Sequence, residues 1–209
     1  MRLASLLQLL LLGSLWGSSY LYIKLAVEGM SPLMVVASRL FFGALLLLFV
    51  IVLGKLSFPR ERTAWMHLVA MAVMGNVIPW TLIAWAGQHI DSGVSAVLNS
   101  LTPLFTILFV VLAFGAERFS VPRVVGIVLG FTGAVVLAGA DLTQLASDST
   151  RAQLAVVTSS ICYGLAFAYA RRFVRGEPMV LAGCQISLAF LLILPFTLAF
   201  GDPAGTELT

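Results

Sequence analysis

Arg39 stands about two turns into the apolar stretch "SPLMVVASRLFFGALLLL", roughly 10 Å deep at 1.5 Å per residue. A guanidinium at membrane depth costs at least about 2.5 kcal/mol unless a partner or water meets it. With Lys24 it would make a pocket electropositive and suit a carboxylate-bearing solute; pairing with the carbonyl end of a helix is the competing role. A second group is a stripe. Ser92, Ser95, Asn99, Thr102 and Thr106 recur at three- and four-residue spacing, which places them on one helix face. Such a stripe must meet protein or water rather than lipid. It reads as the lining of a path for a polar solute, ahead of interhelical hydrogen bonding at around 0.6 kcal/mol per contact, because Asn99 is more polar than packing needs. Pro103 within the stripe frees a backbone carbonyl. Asn76 and Trp80 share a face at i,i+4, and Trp80 is too deep for an interfacial aromatic belt, where Trp65 falls. An aromatic wall and plain core packing both fit. Trp16, Tyr20 and Lys24 repeat the same spacing, and Lys24 is near enough to a span end to snorkel.

The chemistry these residues offer is recognition, not bond-making. The chain has no His-Glu-x-x-His, no Gly-x-Gly-Asp, and no serine with a histidine at matching depth, so an intramembrane enzyme is disfavoured. Cys162 and Cys184 lie in apolar runs as packing residues, without metal-ligand spacing or a disulfide framework. No cofactor is implied. No Asp or Glu lies in the middle of a span, which argues against a buried carboxylate proton relay. His67 and His89 fall near span ends, and Glu117 has Arg118 and Arg123 to pair with.

The elements that must hold these residues are membrane helices. The 209 residues are 60% hydrophobic and only 10% charged, against roughly 25% charged in a soluble domain, and mean hydropathy is +1.05. Seven apolar runs can be marked: Ala4–Val27, Leu33–Gly54, Trp65–Gly87, Gly93–Gly115, Pro122–Ala140, Arg151–Arg171 and Met179–Phe200. Each is long enough to cross the hydrocarbon core as a helix. The runs are continuous rather than alternating, which disfavours barrel strands. The first run is too long for a signal-peptide core and reads as an uncleaved helix. A net charge of +3 does not imply nucleic acid, because the cations are spread over short loops. Arg2, Lys55, Arg60, Arg62, Arg118, Arg123, Arg171, Arg172 and Arg175 fall on one side, Lys24 and Arg151 on the other. The richer side is expected to be cytoplasmic, with the N-terminus inside.

One phrase is written twice. "LWGSSYLYIKLA" (15–26) matches "ICYGLAFAYARRF" (161–173) with Gly17 over Gly164, Trp16 over Tyr163, Tyr20 over Phe167 and Lys24 over Arg171. After one deleted residue "SPLMVVASRL" matches "EPMVLAGCQI", with Arg39 over Gln185. Five helices precede the second copy, so it enters the membrane upside down: an inverted-topology repeat, the architecture behind many secondary transporters. The expected organisation is a first five-helix repeat over 1–140, an external linker over 141–150 with Asp148 and Ser149 placed to cap the next helix, and the first two helices of a second repeat over 151–209. Tyr163, the counterpart of Trp16, joins the candidate binding set.

Four stretches then carry a resemblance: "LWGSSYLYIK", "SPLMVVASRLFFGALLLL", "AVLNSLTPLFTILFVVLAFGAERFS" and "GIVLGFTGAVVLAG". In this order the chain resembles the EamA-type branch of the drug/metabolite transporter superfamily over essentially its whole length. Ala116 between Gly115 and Glu117 departs from the family's exit pattern. The resemblance implies an all-α integral membrane bundle of two inverted five-helix repeats, seven of ten helices falling within this sequence. It implies a secondary transporter, an exporter rather than an importer, of amino acids or amphipathic metabolites, working by alternating access in the bacterial cytoplasmic membrane. Its partners would be the lipid bilayer and a small-molecule substrate. The alternative is a non-transporting membrane fragment or assembly partner without a complete substrate path. Gly126-x-x-x-Gly130 followed by Gly133 permits close helix approach within a protomer or across a homodimer.

Overall fold

The structure, a computed structural model, describes residues 3–112, 121–138 and 147–201. The regular structure among them is helical throughout: α1 (Leu3–Gly29), α2 (Pro32–Leu53), α3 (Arg62–Ala72), a π-helical turn (Val73–Val77), α4 (Ile78–Gly87), α5 (Ser92–Asn99), α6 (Thr102–Leu112), α7 (Val121–Ala138), α8 (Asp148–Phe173) and α9 (Pro178–Phe200). Among the described residues six spans are long and apolar enough to cross a membrane: Ser5–Gly29, Pro32–Leu53, Arg62–Gly87, Ser92–Leu112, Asp148–Phe173 and Pro178–Phe200. α7 occupies the fifth expected run. The exit segment around Glu117 and positions 141–146 of the linker lie outside the described residues.

Helix starts follow the punctuation. Ser31 caps α2, accepting from Met34 N–H at 3.4 Å, and Pro32 takes the first turn, where a missing N–H is harmless. Pro178 opens α9 in the same way. α8 begins one residue earlier than the linker implied. Ser147 is the cap, its Oγ accepting from Thr150 N–H at 3.2 Å. Asp148 therefore falls inside the first turn, where a carboxylate complements the helix dipole, and it pairs with Arg151 at 3.4 Å.

Two spans expected to be continuous are interrupted, each at a proline. Pro79 has no N–H for the carbonyl four residues back, and the third span absorbs this as the π turn just before it. In the fourth span Pro103 cannot donate to the Asn99 carbonyl; the helix stops at Asn99 and restarts at Thr102. The carbonyl is not left bare, because Thr102 Oγ1 donates to it at 2.8 Å. The acceptor that Pro103 frees is thus consumed within its own helix.

α2 and α9 form the most extensive helix pair, and α8 is the most embedded span, packed on α4, α5 and α6. Lipid gives no hydrophobic drive for helices to associate, so contact relies on small residues that let backbones approach. The deepest positions include Ala72, Ala84, Ala86, Ala152, Ala166, Ala168 and Ala189. At Gly164 a Cβ would come within 2.6 Å of Phe105 Cβ and 2.9 Å of the Thr106 nitrogen, so the backbones of α8 and α6 touch there. α1 is the opposite case: 6% of its most apolar window is buried, against 44% for α8.

Candidate functional site

The site is assembled from α1, α2, α4, α5 and α8. Asn99 ends α5 at the break made by Pro103. Its Oδ1 faces two fully buried serines on α8, with Ser159 Oγ at 3.3 Å and Ser160 Oγ at 3.2 Å. Ser160 has one proton to give, and the Leu98 and Val156 carbonyls, each at 3.1 Å, compete for it. The Tyr20 hydroxyl of α1 is the other side-chain neighbour of Asn99. With Oδ1 turned to the serines, the amide NH2 is the end left for Tyr20. One side chain therefore ties α1, α5 and α8 together.

Arg39 completes the cage from α2. Its Nη2 donates to Ser19 Oγ at 3.0 Å, and its Cζ lies 4.5 Å from the Trp80 ring centroid. Tyr163 stands beside the Trp80 indole and close to Tyr20 and Arg39. Tyr20, Arg39, Trp80, Asn99 and Tyr163 are all half-buried. The cage holds one cation, three aromatic faces, an amide and several hydroxyls. Among the described residues no carboxylate pairs with Arg39.

Other expected residues are placed differently. Asn76 is buried in the π turn and accepts from Gln185 Nε2 of α9 at 2.5 Å; that amide also reaches the Met71 carbonyl at 3.4 Å. This polar contact stands apart from the cage, and Gln185 is the residue that aligns with Arg39 in the repeat. Ser95 is 3% exposed and its Oγ has no hydrogen-bond partner among the described residues. Thr102 and Thr106 spend their hydroxyls on backbone carbonyls of their own span. Trp16 is 63% exposed, outside the cage. Lys24 donates to the Ile90 carbonyl at 3.2 Å, beyond the end of α4, as cations often do at helix C-termini. Ser19, Ser159 and Ser160 were not singled out from sequence, and Gln185 was noted there only as the counterpart of Arg39 in the repeat. The signals for them were a Thr-Ser-Ser triplet and one isolated amide in apolar runs.

A recess is found at each end of the bundle. At the α1–α2 end a cup of about 220 Å³ is lined by Lys24, Gln88, His89, Asp91, Ser149 and Gln153, among others. At the opposite end His67 Nδ1 meets the Tyr169 hydroxyl at 2.6 Å and its ring stacks on Phe173, which joins α3 to α8 beside a recess of about 180 Å³ lined by Glu61, Thr63, His67 and Arg175, among others. Cys162 and Cys184 are free thiols, and the described residues contain no cluster of three or more His, Cys, Asp or Glu able to hold a metal.

A multi-pass bundle of apolar helices around a polar cage defines a class, multi-span helical membrane proteins. The family follows from comparison: the model of the EamA-like transporter family matches residues 3–139, and the chain belongs to that family. It is 22% identical over 198 residues to the uncharacterized transporter YoaV of Bacillus subtilis, covering 93% of this chain and 67% of that protein. It is 26% identical over 193 residues to the uncharacterized inner membrane transporter YedA of Escherichia coli, covering 90% of this chain and 60% of that protein. Over 124 residues it is 25% identical to the "Probable terminal-alkyne amino-acid exporter" of Streptantibioticus cattleyicolor, covering 59% and 41%. The chain thus spans about two thirds or less of the length of these relatives. No solved structure matches it.

Proposed function

We propose that the chain carries the substrate cage of a secondary transporter that moves small metabolites, such as amino acids or amphipathic compounds, across the bacterial inner membrane by alternating access, in the export direction. The observation that carries this reading is the Asn99 junction. Helices from both sides of the linker meet there around side chains that are costly at membrane depth and unnecessary for packing. The ends of the bundle support a cycle. The positive-inside bias favours the α1–α2 end, with its polar cup, as the outer one, and the His67–Tyr169 contact joins α3 to α8 beside the recess at the other end. Reading α8 and α9 as inverted counterparts of α1 and α2 is supported by the proline that opens both α2 and α9. It is supported too by the long α2–α9 contact, as expected of two helices related by an axis between them. The name of the Streptantibioticus relative supports amino acids or compounds like them.

The test is flux. Cells or proteoliposomes carrying the protein are expected to move metabolites from a panel of labelled amino acids and amphipathic acids. Asn99→Leu and Arg39→Leu should abolish that flux while leaving membrane insertion intact. Normal flux in both variants would overturn the site. A second reading, a membrane component that does not transport by itself, is favoured by one observation: α1 is exposed from Ser5 to Gly17, although its repeat counterpart in α8 is packed tightly at Gly164. Absence of flux for every panel member with the wild-type chain alone would select it.

A further inference from the structure

Resting on the cage as a substrate site, we propose that of the two substrate classes named above it prefers the amphipathic one, an organic monocarboxylate with an uncharged, apolar body, over amino acids, whose α-ammonium group is disfavoured. The argument is a count of charges and donors. A guanidinium has five N–H donors. Ser19 Oγ takes one, and the Trp80 ring covers a face, which leaves the donor edge uncommitted. The side chains around it are Ser19, Tyr20, Trp80, Tyr163 and, through Tyr20, Asn99. All of them are neutral. A charge at this depth is ordinarily paired, and among the described residues none supplies the counter-charge. The guanidinium fork matches a carboxylate in a two-bond arrangement, so an incoming carboxylate fills the gap.

The same count sets the rest of the ligand. Lys24 lines the cup rather than the cage, so among the described residues Arg39 is the one cation of the cage, and a single negative charge neutralises it. A phosphate monoester, at nearly two charges, would leave an excess. An ammonium would stand beside the Arg39 guanidinium with no carboxylate among the described residues to offset the second positive charge. The Trp80 and Tyr163 rings beside Arg39 supply an aromatic surface for the body.

Three probes of one shape separate the possibilities: 3-phenylpropionate, its neutral amide 3-phenylpropanamide, and the zwitterion L-phenylalanine. Each is titrated calorimetrically into the full chain in nanodiscs at pH 7. The acid is expected to bind at least tenfold more tightly than either of the others. Arg39→Gln should erase the difference between acid and amide; Arg39→Lys, which keeps the charge but not the fork, should retain part of it and serves as the folding control. Equal binding of acid and amide, equal binding of acid and zwitterion, a preference that survives Arg39→Gln, or no binding of the acid would each overturn the proposal. Counterflow in proteoliposomes separates this from the transport reading. Selective binding of the acid without flux keeps the ligand assignment and removes transport, whereas flux of the amide or zwitterion without acid preference does the reverse.

Discussion

Asn99 accepts through Oδ1 from two serines of α8 with the Tyr20 hydroxyl nearby, and Gln185 links helices in a similar way at the π turn by donating to Asn76. The energetic weight of such a pair is modest in lipid, about 0.6 kcal/mol on average, because the separated helices also find partners. Removing one member costs more, since the other is left unsatisfied, by about 1–3 kcal/mol. Gln185→Leu and Asn76→Leu should therefore each destabilise the protein in denaturant titrations in micelles. The double variant should lose less than the sum of the two by at least about 0.6 kcal/mol; strict additivity would mean the contact at 2.5 Å contributes nothing. The large polar groups of the cage were legible in the sequence, because Arg39, Asn99, Tyr20, Trp80 and Tyr163 are out of place in an apolar run. Ser159, Ser160 and Ser19 were not. A small hydroxyl in a membrane helix can bond its own backbone, as Thr106 and Thr158 do, and only the opposing helix decides which serines reach across.

At the scale of elements, lengths and starts could be read from apolar runs and prolines, but the interruptions could not. Pro79 and Pro103 announce a missing hydrogen bond without saying how the backbone repays it, and the chain uses a π turn in one case and a full break in the other. The repeated phrase poses a sharper question, because its two glycines have different surroundings. Around Gly164 the Phe105 backbone leaves no room for a methyl group; around Gly17 nothing lies within 4 Å. Gly164→Ala should force α6 and α8 apart, at an overpacking cost of about 1–3 kcal/mol, and appear as a lower midpoint of thermal unfolding in detergent. Gly17→Ala in the same chain should leave the midpoint unchanged. A reversed ranking would mean that α1, not α8, carries the tight contact. The glycines of α7 divide likewise. Gly130 faces Leu104, whereas Gly126 and Gly133 have nothing within 4 Å, so the spacing in sequence marked a face on which one of three positions is filled.

For the whole molecule, the cage and the cup lie toward the α1–α2 end, and which compartment that end faces decides what the cage can load. Helix packing is indifferent to the question; charge is not. Among the described residues Lys55, Arg60, Arg62, Arg171, Arg172 and Arg175 lie at the α2–α3 end, and cations near span ends resist translocation. Alkaline phosphatase fused after Lys55 is therefore expected to be inactive and green fluorescent protein at the same point fluorescent, with the reverse after Asp91. Neutralising Lys55, Arg60 and Arg62 together should mix the two patterns, since it removes the densest part of the bias. If the wild-type fusions gave the opposite result, the cup lined by Lys24 and Asp91 would open to the cytoplasm and the His67–Tyr169 contact would face outward. Solute would then load from inside without that contact opening. Orientation thus fixes whether the His67–Tyr169 contact must break before a cytoplasmic solute reaches Arg39, and Tyr169→Phe, which removes the hydroxyl from that contact, should speed cytoplasmic loading only in the orientation the charges favour.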